Sequence, residues 1–326
     1  MDAPGLVDDY YLNLLSWSAT NVLAVALGSA VYLLDAASDS TSLLMDLADG
    51  GDDCVCSLEW APDNIHLAVG LPDGTTQLWD TAKGKQVRSL SGHAARVGAL
   101  AWNGPLLSTG SADTAILHHD IRVREHVVAR LSGHTQEVCG LAWSASGAQL
   151  ASGGNDNSLC IWSASSVEAG GTWRPLHKLS EHKAAVKALA WCPFQANLLA
   201  SGAGSSDGCI KFWNTNTGAC LNSLQTHAQV CGLKWNPGER EILSAHGYST
   251  DRQLCLWKYP SMVCTAEVAG HKSRASYLAS SPDGSTVVSA GDDETLRFWK
   301  VFEGRGEVRK AEAAERKSLL HCTRIR

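Results

Sequence analysis

The chain has no run of about 18 apolar residues and no basic N-terminal stretch followed by an apolar one. It therefore shows the pattern of neither a spanning helix nor a secretory signal. Charge is also sparse: charged residues make up 18% of the chain and the net charge is −6. This balance gives no electrostatic reason to expect nucleic acid or a membrane as partner. We expect a soluble intracellular protein that binds other proteins.

Three motif classes are missing as well. The eleven cysteines form no C-x-x-C pair, so the sequence predicts neither a structural zinc site nor a disulfide framework. Most of them neighbour apolar residues, where a reduced cysteine acts as a small hydrophobe. Glycine-rich dinucleotide loops and Walker phosphate loops are absent. We therefore predict no cofactor, no metal and no catalytic residue, and no enzyme.

What the chain does contain is a long internal repeat. One segment is an apolar run that ends in Trp six times, with a degenerate seventh copy at Ser280: Trp17, Trp60, Trp102, Trp143, Trp191 and Trp235. A second segment closes each unit, at Leu34, Trp79, His119, Trp162, Trp213, Trp257 and Trp299. Successive closing positions are 40 to 51 residues apart, which is typical of propeller blades.

Polar residues recur within the unit. A loop histidine precedes the first strand, and an aspartate lies in the turn after a Ser- or Thr-containing strand. The histidines are His93, His134, His182, His227 and His271, and the turn acids are Asp113, Asp156, Asp207 and Asp293. With the closing Trp, these side chains can form a buried hydrogen-bonded set. The pattern assigns these groups to structure.

The pair His118-His119, followed by Asp120, is the most provocative motif outside this pattern. It lies where other units place the closing Trp and the following residue. We therefore expect one histidine in the core and the other exposed, with no catalytic or metal role.

The repeat predicts an all-β fold, a seven-bladed β-propeller of WD repeats over residues 1–302. Residues 303–326 lack the strand pattern and form a short basic C-terminal tail that ends in Ile-Arg. Binding residues are expected on the loops that such a rigid scaffold holds.

Several motifs beyond the general repeat resemble one family, the Fizzy-type WD-repeat activators of the anaphase-promoting complex, a ubiquitin ligase. These are Asp2-Ala-Pro4, Asp9-Tyr-Tyr-Leu-Asn-Leu-Leu-Ser-Trp-Ser18, residues 136–141, 152–157, 185–193 and 293–299, and the final Ile325-Arg326. The resemblance covers the whole chain, and His118–Asp120 and Thr226–Cys231 are closer to the cell-division-cycle branch. It implies a substrate-recruiting activator that works in nucleus and cytoplasm.

The resemblance implies a site for the KEN-box degron on the face around the central channel. The matching positions here are Asp9, Tyr10, Asn155, Asn157, Ser205, Gln229 and Arg274. The repeat places these positions in two loop types that emerge on one face. Arg274 can pair with the degron's glutamate and Asp9 with its lysine, while amides can bind its asparagine. Taken singly, without the resemblance, Asn and Ser at these positions are explained by turn chemistry.

A second implied site binds the destruction box, Arg-x-x-Leu, between the first and last blades. Its matching residues are Asp2, Val25 and Glu294, with Asp292 an alternative to Glu294. Two carboxylates would bind the degron's arginine and an apolar pocket its leucine.

The resemblance further implies that Ile325 and Arg326 dock into tetratricopeptide-repeat subunits of the ligase. The other implied partners are degron-bearing substrates, such as cyclins and securin-like proteins, and mitotic checkpoint proteins.

In two respects this chain departs from the family pattern. It begins after the position of the family's C box, and it lacks most of the N-terminal strand that completes the last blade, so we expect an unpaired sheet edge near Asp2. Two alternatives therefore stay open: a degron-binding decoy or inhibitor of the ligase, and a general WD-repeat scaffold.

Overall fold

A computed structural model describes residues 1–47, 54–165, 174–247 and 252–302. The 27 secondary-structure elements defined in these ranges are all β-strands. They form seven antiparallel sheets, six with four strands and one with three. The seven-bladed all-β propeller predicted from the repeat is confirmed.

The strands follow the chain blade by blade. Blade 1 holds β1 (Leu15–Trp17), β2 (Val22–Leu27), β3 (Ala30–Asp35) and β4 (Ser40–Asp46), and blade 2 holds β5 (Ser57–Trp60), β6 (His66–Gly70), β7 (Thr76–Asp80) and β8 (Lys85–Leu90). Blade 3 holds β9 (Val97–Asn103), β10 (Leu106–Ser111), β11 (Ile116–Asp120) and β12 (Val127–Leu131). Blade 4 holds β13 (Val138–Trp143), β14 (Gln149–Gly154), β15 (Leu159–Ser163) and β16 (His177–Leu179).

Blade 5 holds β17 (Val186–Trp191), β18 (Leu198–Ala203), β19 (Cys209–Asn214) and β20 (Ala219–Gln225). Blade 6 holds β21 (Gln229–Trp235), β22 (Glu241–Gly247), β23 (Leu254–Lys258) and β24 (Val263–Val268), and blade 7 holds β25 (Ala275–Ser280), β26 (Thr286–Gly291) and β27 (Thr295–Lys300). Within each blade, consecutive strands are hydrogen-bonded neighbours, and the first strand is innermost.

Burial follows strand position. The second strand of each blade is buried on both faces, as in β18, where all six residues are buried. In the outermost strands, side chains alternate between buried and exposed or are mostly exposed, as in β24. The second strands consist mainly of apolar and small residues because neighbouring blades cover both of their faces.

The predicted hydrogen-bonded set is present in blade 5. The Trp213 indole donates to Ser201 Oγ at 2.7 Å, the hydroxyl of Ser201 lies 2.7 Å from His182 Nε2, and His182 Nδ1 lies 2.6 Å from an Asp207 carboxylate oxygen. Equivalent sets link His134, Asp156, Ser152 and Trp162 in blade 4 and His271, Asp293, Ser289 and Trp299 in blade 7. The strand hydroxyl both accepts and donates, so no member of the set is left unpaired.

In blade 3, the expectation that one histidine of the pair is exposed is wrong, because His118 and His119 are both 1% exposed. His119 replaces the closing Trp, and its Nε2 lies 3.0 Å from Thr109 Oγ1. His118 points to the other face of the sheet, where its Nδ1 lies 2.9 Å from Ser108 Oγ. Neighbouring blades cover both faces of this strand, so the alternation of side chains exposes neither histidine.

In blade 6 a second expectation is wrong. His227 is exposed, with a φ of 60°, and does not join the blade's hydrogen bonds. Instead, Ser244 Oγ accepts a hydrogen bond from the Trp257 indole at 2.7 Å. The same oxygen lies 2.7 Å from Nε2 of His246, which is on the same strand as Ser244. The loop before β21 is one residue shorter than its counterpart in blade 4, so it cannot turn His227 inward.

Blade 7 has three strands, and the N-terminus adds a short fourth segment. Residues 1 to 3 pair with residues 294 to 296 through an Asp2–Thr295 bridge and the bond from the Ala3 amide to the Glu294 carbonyl, 2.7 Å. The expected open edge is therefore closed beside Asp2. Farther along β27, Phe298 is 40% exposed.

We expect Ser201→Ala to destabilise the chain by about 1–3 kcal/mol, because it removes the hydroxyl that pairs with both Trp213 and His182. Urea unfolding measures the change. Ser42→Ala, at an exposed position of β4, is the matched control and should cost almost nothing. Equal effects of the two substitutions would contradict the role of the hydroxyl.

Acid should destabilise blade 3. Burial lowers the pKa of His118 to about 4 and that of His119 to about 3. In the unfolded chain these groups gain a proton near pH 6.5. The free energy of unfolding should therefore fall between pH 6.5 and about 4, by up to about 1.4 kcal/mol per pH unit for each histidine.

Melting temperatures across that pH range check this expectation. His119→Gln should flatten the slope, because the amide stays neutral and can still donate to Thr109. His227→Asn, at an exposed position, should leave the slope unchanged. The same slope in His119→Gln and the unaltered chain would contradict the assignment.

Candidate functional site

The innermost strands of all seven blades surround a central channel with a cavity of about 370 Å³. The strands approach closely, and a Cβ on Gly140 would lie 2.2 Å from the carbonyl oxygen of Lys187. Glycine at this position lets blades 4 and 5 come together. The loops before the first strands and those between the second and third strands all open on one face, around one mouth of the channel.

One glutamate and two lysines, Glu59, Lys187 and Lys234, line the channel. Burial raises the pKa of Glu59 to about 7, although Lys234 opposes the shift. Burial lowers the pKa of Lys187 to about 8. The Lys187 ammonium lies 4.7 Å from the ring centre of Tyr277 and 5.5 Å from that of Tyr10, so cation–π contacts hold it.

Residues 7–13, here called the crossing segment, run across the mouth of the channel. The Tyr277 hydroxyl donates to the backbone carbonyls of Val7, at 2.7 Å, and Asp9, at 3.0 Å. Tyr10 is 7% exposed, and its hydroxyl lies within 3.3 Å of carbonyl oxygens in blades 5 and 6. At the far end, the Asn13 amide donates to the Gly98 carbonyl at 2.7 Å. Asn13 also donates to the Cys139 carbonyl in blade 4 and forms a bridge with Ser57 in blade 2, so the crossing segment contacts six of the seven blades, blades 2 to 7.

A three-residue ionic cluster lies at one side of the mouth. Arg96 donates from Nη1 to Asp9 at 2.9 Å, and from Nε and Nη2 to the two oxygens of Glu137 at 2.8 and 2.9 Å. The bidentate bond to Glu137 raises the pKa of Arg96 well above its ordinary value. Asp9, predicted to bind a degron lysine, already has a cationic partner here.

Arg274 lies at the opposite side of the mouth and is 9% exposed. It donates from Nε to the carboxylate of Asp8, from Nη2 to the Asp8 carbonyl at 2.9 Å and from Nη1 to Gln229 Oε1 at 3.3 Å. The Ser276 hydroxyl also donates to the Asp8 carboxylate, at 2.9 Å.

The polar rim completes this face. Asn155 accepts a bond from the Tyr11 hydroxyl at 2.9 Å and donates to Gln136 at 2.8 Å. Asn157 has a φ of 61°, a conformation that asparagine tolerates well, so it also serves the turn. Ser205 is exposed in the corresponding turn of blade 5.

The structure thus brings the seven predicted KEN-box residues to one face, but at two depths. Ser205 is exposed, and Asp9, Asn155 and Asn157 are partly so, whereas Tyr10, Gln229 and Arg274 are buried.

Sequence reasoning missed Asp8, Tyr11, Arg96 and Glu137. The repeat carried a signal for two of them. Arg96 and Glu137 directly precede β9 and β13, which is the position that Arg274 holds before β25.

Of the predicted destruction-box residues, Asp2 and Glu294 meet where the ring closes. The Ala3 amide donates to the Glu294 carbonyl, and the Gly5 amide donates to Glu294 Oε1 at 3.0 Å. Both acidic residues are exposed. Val25 is 3% exposed in β2 and belongs to the core cluster that also includes Ala3.

Three further predictions from the sequence concern the C-terminal pair, the turn acid Asp293 and the cysteines. Ile325 and Arg326 lie outside the described residues. Asp293 binds His271, so it is the structural acid of its turn, as predicted. The ten cysteines within the described ranges are all free thiols.

Two other features are absent from the described ranges. No group of three His, Cys, Asp or Glu side chains there is arranged to hold a metal ion. Those ranges also contain no helix long and apolar enough to cross a membrane.

Comparison with known proteins gives a consistent assignment. A chain in the crystal structure of a mitotic checkpoint complex superposes with a TM-score of 0.88 at 45% identity, covering 93% of this chain and 91% of that one. Cell division cycle 20.1, cofactor of APC complex, from Arabidopsis thaliana is 56% identical over 100% of this chain and 71% of its own length. Anaphase-promoting complex subunit cdc20 from Dictyostelium discoideum is 56% identical over 98% of this chain and 62% of its own length.

The family model for the CDC20/Fizzy WD40 domain matches residues 1–299, which includes all seven blades. Two relatives at 56% identity over nearly the whole chain agree with this match. The chain belongs to the CDC20/Fizzy family of WD40 propellers.

Proposed function

We propose that this protein is a substrate-recruiting activator subunit of the anaphase-promoting complex, a non-catalytic adaptor that binds KEN-box and destruction-box degrons. The observation that carries the proposal is the convergence of the seven predicted KEN-box residues on one face of the propeller. The names of its relatives, a cofactor of the APC complex and an anaphase-promoting complex subunit, support the choice of ligase.

The face that carries the seven predicted KEN-box residues, here called the KEN face, offers complementary groups for the three degron side chains. Asn155, Asn157 and Ser205 provide amides and a hydroxyl at the rim, which suit an asparagine side chain. Arg274 provides a guanidinium for the glutamate, and Asp9 a carboxylate for the lysine. Their positions around one mouth allow a short peptide to contact all of them.

The destruction-box site uses the junction between blades 1 and 7. Asp2 and Glu294 are exposed there on paired backbone segments, so their carboxylates can share one arginine. Because Val25 is buried, its contribution is to pack beneath the leucine pocket rather than to line an open surface.

Checkpoint proteins form a second class of proposed partner. The solved chain that superposes on this one belongs to a mitotic checkpoint complex. We place the protein in nucleus and cytoplasm, where cell-cycle substrates are encountered.

The two degron sites should be separable by mutation. Arg274→Ala with Asn155→Ala should weaken binding of a Lys-Glu-Asn peptide at least about tenfold, because a charged pair and an amide contact are lost. Asp2→Asn with Glu294→Gln should weaken binding of an Arg-x-x-Leu peptide by a similar factor. Fluorescence anisotropy with both peptides on both variants makes each double variant the other's control. Unchanged binding of the Lys-Glu-Asn peptide to the first variant would refute the KEN assignment.

Deleting Ile325-Arg326 should reduce co-purification with the anaphase-promoting complex, because the new terminal pair, Thr323-Arg324, keeps a carboxylate and a guanidinium but lacks the apolar anchor of Ile325. Peptide binding to the propeller should stay unchanged, since the deleted residues lie outside it. Arg324→Ala, one position upstream, is the matched control. Full retention of the ligase by the deletion variant would favour the general scaffold instead.

A further inference from the structure

The guanidinium of Arg274 is occupied by its own chain. Its Nε donates to the Asp8 carboxylate, its Nη2 donates to the Asp8 carbonyl at 2.9 Å, and its Nη1 donates to Gln229 at 3.3 Å. The Asp8 carboxylate is held from a second side by the Ser276 hydroxyl at 2.9 Å. Asp8 and Arg274 are 266 residues apart in sequence.

Asp8 lies between Arg274 and solvent. The Asp8 side chain is 26% exposed, whereas that of Arg274 is 9% exposed. Gln229, the other partner, is itself buried. A peptide carboxylate that approaches from the face therefore meets Asp8 before it can reach the guanidinium.

The backbone on either side of Asp8 is anchored. Tyr277 binds the carbonyls of Val7 and Asp9, and the buried Tyr10 follows directly. The Asp8 carboxylate can therefore leave Arg274 only by rotation of its own side chain. Such a tethered group has a high effective concentration at the site.

We propose that Asp8 is an internal competitor for the degron's glutamate: its carboxylate occupies Arg274, so the peptide's glutamate contributes less affinity than it would at an unoccupied guanidinium. This inference rests on the proposed KEN-box function. It makes Asp8 a residue that sets specificity at the middle position of the degron.

Asp8→Asn tests the competition, because asparagine keeps the size and the oxygen of the side chain but removes its charge. We expect a Lys-Glu-Asn peptide to bind about three- to tenfold more tightly to this variant, a range that allows for partial solvent screening of the pair. A Lys-Gln-Asn peptide should bind both proteins equally. The readout is the ratio of the two affinities, by fluorescence anisotropy on the full chain.

One control variant and one further test variant accompany Asp8→Asn. Asp73→Asn removes a carboxylate from a turn on the same face of blade 2 and should leave both affinities unchanged. Ser276→Ala removes the second anchor of Asp8 and should shift the ratio in the same direction as Asp8→Asn, by a smaller factor. Thermal melts check that each variant is folded.

The possible outcomes separate the two proposals. If the unaltered chain binds the Lys-Glu-Asn peptide and Asp8→Asn leaves the ratio unchanged, or strengthens both peptides equally, the competition is refuted while the KEN site stands. If neither protein binds that peptide better than a scrambled one, the KEN site is refuted and the competition with it.

Discussion

Closure of the ring combines apolar packing between blades 7 and 1 with a few backbone hydrogen bonds between the N-terminus and β27. Residues 1 to 3 pair with residues 294 to 296, and this pairing joins blade 7 to blade 1. It brings Asp2 and Glu294 together, and it fixes the point from which the crossing segment starts. The proposed destruction-box junction and the proposed KEN-box face therefore both adjoin the place where the two ends of the propeller meet.

The crossing segment brings largely paired charges to the proposed KEN-box face. Two ion pairs lie on opposite sides of the channel mouth: Asp8 pairs with Arg274 on one side, and Asp9 pairs with Arg96 on the other. Partial burial strengthens such pairs relative to fully exposed ones. A peptide that binds here exchanges one set of ion pairs for another, so its affinity depends on the difference between them.

The blades show how far the hydrogen-bonded set tolerates change. A strand hydroxyl is retained at Thr109, Ser152, Ser201, Ser244 and Ser289, while its partners vary. His119 replaces a Trp in blade 3, and His246 replaces a loop histidine in blade 6. Each replacement keeps a nitrogen within bonding distance of the hydroxyl, so the hydroxyl stays paired, whereas Nδ1 of His246 is buried without a hydrogen-bond partner.

The sequence by itself determined the number of blades, the four turn acids and the face on which the predicted KEN-box residues lie, because repeat register fixes where a residue falls on its strand or turn. Only the tertiary structure decided that His118 and His119 are both buried, that His227 is outside its blade's set and that Asp8 occupies Arg274. Burial of a strand depends on what covers its two faces, and a one-residue change in loop length redirects a side chain. A contact across 266 residues depends on ring closure, which no local pattern in the repeat encodes.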